Sequence, residues 1–157
     1  AVTEPTDAAD ALSPITQERI EAQLDANNLK HFRSDEGMTE TAFPGLVVFF
    51  QVSEVGFKAT ARWIPVVSGD ADTRTARELA NHLNASMPLV RTHAVRREDA
   101  TTVVLIEAPF FTTDGATDGQ LKEMLDFYFS AIHHVMGQLD QALPHLKGQT
   151  PNTKGEA

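Results

Sequence analysis

The chain has 157 residues, 41% of them hydrophobic and 22% charged, enough apolar surface for one domain with a sizeable core rather than a wholly disordered chain. Thirteen basic residues against 22 acidic ones leave a formal charge of −9, which disfavours binding to nucleic-acid phosphates and to anionic membranes. The absence of cysteine excludes disulfides, thiolate metal sites and cysteine nucleophiles.

Residues 1–12 carry Glu4, Asp7 and Asp10 and little that is apolar, and read as a disordered acidic tail. They hold no apolar signal core, so the expected compartment is the cytoplasm. The ordered domain is expected over residues 13–146. A first helix is predicted after Ser13, with Pro14 at its first position and Ile20 and Leu24 four apart on one face. Asn27-Asn28 is a plausible left-handed stop. A short strand follows around His31–Arg33, then a turn at Asp35-Glu36-Gly37. Pro44-Gly45 leads into the strand Leu46–Val52, whose two faces are both apolar. Its run Leu46–Phe50 is the longest apolar stretch, far short of the roughly 20 residues that span a bilayer.

Glu54-Val55-Gly56 reads as a reversal. Phe57, Ala59, Ala61 and Trp63 then alternate with Lys58, Thr60 and Arg62, the period of a half-buried strand with Trp63 in the core. Asp72 is a candidate cap for a second helix, which carries Ala76, Leu79, Ala80, Leu83 and Met87 on one face and ends at Pro88. Two strands, Leu89–Arg97 and Thr102–Pro109, are joined by a predicted hairpin turn at Glu98-Asp99-Ala100. A last helix opens at Thr117 or Asp118, where Thr117 and Gln120 match a capping box, and runs to about Leu143 before Pro144. Residues 147–157 read as a second disordered tail. The expected class is α+β in the order αβββαββα.

The last helix is the most informative element. At about 100° per residue, Leu121, Leu125, Tyr128, Ile132, Val135, Leu139 and Leu143 form one stripe. Met124, Ala131 and Ala142 flank it on one side, Met136 and Phe129 on the other. The apolar arc is about 160° wide, against roughly 100° for an ordinary core-facing helix. Phe127 falls outside it. A large core contact with one stray aromatic accounts for this pattern; so does a shoulder of the helix that meets another chain.

Few residues promise chemistry. His133 and His134 are adjacent, so their rings point about 100° apart rather than toward one ion. No nucleophile elbow, dinucleotide fingerprint or phosphate loop is present. The paired carboxylates Asp35-Glu36 and Glu98-Asp99 fall in predicted turns, where water solvates them, whereas acid–base catalysis needs a desolvated group. No catalytic residue, metal or cofactor is expected. Arg91, His93 and Arg97 alternate on one strand, forming either a solvated edge or a contact strip for an acidic peptide.

The stretch Glu78-Leu79-Ala80-Asn81-His82-Leu83-Asn84, followed by Pro88-Leu89-Val90, resembles the YbjN-like family. So does the run from Val103-Val104-Leu105 through Gly115 and Thr117 to Gln120-Leu121. The resemblance covers about residues 14–145, through diffuse motifs. It implies a regulator of bacterial sensory transduction, with a twisted antiparallel sheet backed by helices as in type III secretion chaperones. It also implies a homodimer, no cofactor, and a protein or peptide partner; the last step is analogy of fold. The leading expectation is therefore a non-enzymatic binding module that uses Phe127, Met124, Met136, Arg91, His93 and Arg97. The alternative is a small-ligand binder or enzyme with an unfamiliar site, gathered around Arg91, His93 and Glu107.

Overall fold

In the computed structural model, which describes residues 11–149, strand alternation decides which side of the sheet is buried. The elements are α1 (Gln17–Ala26), β1 (His31–Arg33), β2 (Thr39–Phe43), β3 (Leu46–Ser53), β4 (Gly56–Val67), α2 (Asp70–Ser86), β5 (Arg91–Arg96), β6 (Thr102–Phe111) and α3 (Asp118–Ala142). A short 3-10 helix, Pro144–Leu146, follows. The six strands form one antiparallel sheet in the order β1-β2-β3-β4-β6-β5. Strands β1 to β4 are a meander. The chain then crosses through α2 to the edge and returns as β6 beside β4.

One face of the sheet meets the helices. Leu46, Val48 and Phe50 of β3, and Phe57, Ala59, Ala61 and Trp63 of β4, point into this layer and are almost wholly buried. Against them pack Ile20 and Leu24 of α1, Ala76 and Leu83 of α2, and the α3 stripe predicted above, from Leu121 to Leu143. Each fully buried large side chain contributes roughly 1.5–3 kcal/mol of transfer free energy. The Tyr128 hydroxyl keeps its hydrogen bond inside this core by donating to the Ile106 carbonyl at 2.7 Å.

The opposite face is not covered by any helix among the described residues. Strand register places Glu40, Phe49, Thr60, Glu107 and Arg91 in one row across it, and Ala42, Val47, Arg62, Leu105 and His93 in the next. Val47, Phe49, Ile64 and Leu105 are half-buried and stand apart from the core cluster. Phe32, in register with Glu40, is exposed.

Several local expectations change. Thr39–Phe43 is a strand that the αβββ reading passed over, because Thr-Glu-Thr-Ala-Phe carries little apolar alternation. Pro44-Gly45 is therefore a hairpin turn between β2 and β3. The first helix starts three residues later than expected. Ser13 is held in an antiparallel bridge with Ala116, and Thr16 is the cap, its hydroxyl accepting from the Arg19 N–H. Gly69, at φ 85°, precedes α2 in place of an Asp72 cap; the Asp72 carboxylate instead meets His145 Nε2 at 2.6 Å. Strand β5 begins at Arg91 and ends at Arg96. The Thr117–Gln120 capping box is present with both hydrogen bonds. Of the two expected tails, residues 1–10 and 150–157 lie outside the described residues; in Gln149, which is described, the side-chain carbonyl accepts from the Val66 N–H at 3.1 Å.

Two glycines are required by geometry. A Cβ on Gly56, at φ 145°, would lie 1.9 Å from the Phe110 carbonyl oxygen, so the β3–β4 reversal can approach β6 only without a side chain. Gly45, at φ 87°, lies under Met136, whose sulfur would be 2.8 Å from a Cβ.

Candidate functional site

The broad apolar arc of α3 divides into two shoulders with different surroundings. On one, Phe129 packs edge-on against Phe43 at 5.1 Å and Phe50 at 6.4 Å, and Met136 lies over the β2–β3 turn. On the other, Met124 and Phe127 face an open groove of about 630 Å³ between α3, the end of β6 and the segment after α2. Its apolar walls include Leu89, Phe110, Phe111 and Ala116. Phe111 is 75% exposed, Phe127 44% and Leu89 42%. Clustered apolar exposure of this kind marks interaction surfaces, whereas isolated exposed residues are ordinary.

The local backbone holds the groove open. Leu89 sits at φ 71°, in the left-handed region, and the Val90 N–H donates to the Pro88 carbonyl at 2.8 Å across it. This is the strained form of γ-turn, and a branched residue there is costly. Strain of this sort concentrates at functional positions. Pro88 stops α2, so the chain turns at Leu89 and places its side chain on the groove. Gly115, at φ 88°, lets the loop before α3 close onto Ser13. Among the lining residues one is charged, Glu123. The Thr112 hydroxyl is buried and has no hydrogen-bond partner among the described residues. The lining holds no histidine and no paired acids. It can bury apolar surface, but it assembles no nucleophile with a base.

The structure distributes the sequence-predicted residues over three places. Phe127 and Met124 share the groove. Met136 lies about 18 Å farther along the helix axis, at 1.5 Å per residue. There it lines a separate apolar pocket of about 720 Å³ with Phe43, Trp63, Ile64 and Pro65. Arg91 and His93 lie on the uncovered face of the sheet, and both are engaged. Arg91 donates to the Asn84 carbonyl at 2.8 Å; His93 Nε2 lies 3.1 Å from Glu107, whose other oxygen is 3.6 Å from Lys58 Nζ. Arg97 does not continue that strip. It belongs to the β5–β6 turn, where its N–H donates to the Thr101 carbonyl and its guanidinium to the Thr101 hydroxyl. The Thr101 hydroxyl also bonds Asp99, holding that carboxyl below its usual range. Arg91, His93 and Glu107 thus form an exposed surface cluster, not the closed cavity that the small-ligand alternative requires of them.

Leu89, Phe110 and Phe111 escape the sequence reading. A signal existed for one of them: in a strand reaching Phe110-Phe111, a period of two must turn one ring away from the core. Nothing in the sequence announces the γ-turn at Leu89. No group of three or more metal-binding side chains occurs among the described residues, and no described helix is long and apolar enough to cross a membrane.

Comparison with known proteins places this arrangement. Among curated proteins none matches the chain. Its structure is similar to the crystal structure of YbjN from E. coli, described as "a putative transcription regulator", with a TM-score of 0.70 and 15% identity over 83% of this chain and 96% of that one. An uncharacterized protein from Methanothermobacter thermautotrophicus aligns more loosely, with a TM-score of 0.48 and 14% identity over 80% of this chain and 96% of that one. The sequence matches the family described as "Putative bacterial sensory transduction regulator" over residues 16–140, which is most of the chain. The chain belongs to the YbjN family.

Proposed function

We propose that this YbjN-family protein is a non-enzymatic protein-binding module of regulatory type, which docks an apolar segment of a partner protein in the groove between α3 and the end of β6. The observation that carries the reading is the convergence of Phe111, Phe127 and Leu89, from three separate elements, on one open groove. Burying an aromatic anchor contributes roughly 1.5–3 kcal/mol, so a few such anchors support a working affinity after the costs of association. Glu123 on the rim and the net charge of −9 favour a segment whose apolar residues are flanked by basic ones. The same charge argues for regulation through protein contacts rather than through DNA.

The test is capture from the lysate of a YbjN-bearing bacterium, with wild type and Phe127→Asp as parallel baits and mass spectrometry as the readout. A partner held by the wild type and lost by an equally folded Phe127→Asp supports the reading. Equal capture by both baits, or none by either, overturns it.

The pocket beneath Met136 supports a second reading, an apolar small molecule seated against Trp63 and Phe43. Met136→Trp, which fills that space, should abolish any thermal shift produced by such a ligand. A shift that persists in this variant removes that reading.

A further inference from the structure

The sheet face turned away from the helices carries two charges that the rest of the described molecule leaves unanswered. Glu40 on β2 is in register with Phe49, and Arg62 on β4 is in register with Val47. The two therefore lie diagonally across β3, with the side chains of Val47 and Phe49 between them. Neither has an ion pair or a side-chain hydrogen bond among the described residues. The Nε of Arg62 is buried with no acceptor. A withdrawn donor of this kind is uncommon and calls for a specific explanation. Glu40 is in the complementary condition: partial burial, with Glu36 nearby, pushes its carboxyl above the usual range. The neighbouring charges on that face are answered, Glu107 by His93 and Lys58, Arg91 by the Asn84 carbonyl.

We propose that this face is a homodimer interface, in which two copies pack sheet on sheet about a two-fold axis passing over β3. Glu40 of each copy then meets Arg62 of the other, and Val47 and Phe49 close against their counterparts between the two pairs. The argument for a second copy is the symmetry of the charges. A two-fold axis lying in the interface exchanges the positions on its two sides, so one acid and one base placed diagonally across β3 become two ion pairs. An unrelated partner would need its own base and acid at matching spacing. An apolar centre flanked by charges is also the usual anatomy of an interface. Six strands at about 4.8 Å make a face roughly 29 Å wide, enough for the ~800 Å² per partner of an ordinary stable complex. Among the described residues the core-facing sides of all three long helices meet the other face of the sheet, and Lys147–Gln149 approach this one only at its Val47–Ile64 end. This inference is independent of the groove, which lies along α3.

The test is sedimentation equilibrium of the full chain across the micromolar range, with circular dichroism as the check on folding. Wild type is expected to dimerise. Glu40→Arg and Arg62→Glu each bring like charges together and should weaken association at least roughly tenfold. The double variant, with both charges exchanged, should return to within a few-fold of wild type; a defect in folding would not be repaired in this way. Phe127→Asp, run alongside, should keep the wild-type association constant, which separates this interface from the groove. A wild-type chain that stays monomeric throughout overturns the proposal and leaves the face to a different partner. Single variants that associate like wild type, or a double variant that stays weak, overturn it equally.

Discussion

Phe127 and Phe129 stand two residues apart on the same helix and have opposite surroundings. Phe129 is half-buried and packs against Phe43, Phe50 and Tyr128, beside the β2–β3 hairpin. Phe127 faces the open groove at the end of β6. The helix supplies apolar surface to both shoulders, and the sheet answers only one. Excess apolar width in a helix is therefore not evidence of one larger core contact. It has to be assigned shoulder by shoulder, according to what the neighbouring strands bring.

Substitutions can sharpen this contrast. The largest effect is expected for Phe129→Ala, which removes a packed ring and leaves a cavity; urea unfolding should show a loss of about 3 kcal/mol. Gly45→Ala acts on the same shoulder through the backbone. With φ at 87° and Met136 overhead, it should cost about 1–2 kcal/mol by thermal or urea unfolding. At the open shoulder the expected losses are smaller. Thr117→Ala removes one half of the capping box and should cost about 1 kcal/mol. Phe127→Asp should shift stability by less than about 0.5 kcal/mol while abolishing capture of the partner. A Phe127→Asp loss as large as that of Phe129→Ala would break the contrast, because it would make the groove part of the core.

Much of the architecture was legible because it repeats. The α3 stripe recurs over 25 residues, and every member expected in the core is buried. The alternation from Phe57 to Trp63 located β4 and its inward face. The hairpins at Glu54-Val55 and Glu98–Ala100 were marked by their turn residues. What escaped depends on contacts distant in sequence. Strand β2 exists because β3 offers it a partner, not because Thr-Glu-Thr-Ala-Phe demands a strand. The uncovered face of the sheet could not be read from β3, since Val47 and Phe49 are as apolar as Val48 and Phe50. Of the groove, Met124 and Phe127 were visible as residues at the margin of a stripe. Leu89 and Phe111 join them only through a strained turn and a strand end that share no local pattern with α3.

The position of β6 in the sheet has a consequence for synthesis. β1 to β4 pair with neighbours in sequence and can zip together as they emerge. β4, however, finds its second partner far down the chain: Gly56 pairs with Phe111 and Trp63 with Val104. At about 5–20 residues per second, a ribosome takes a few seconds to deliver β6 after β4 has appeared. During that interval the 12-residue β4 presents a bare hydrogen-bonding edge beside Phe57 and Trp63. Closing it means drawing together a loop that contains all of α2 and β5, so this pairing is expected to be the slow, entropy-limited step of folding. A nascent chain stalled before Thr102 is thus the form of this protein with most need of a chaperone.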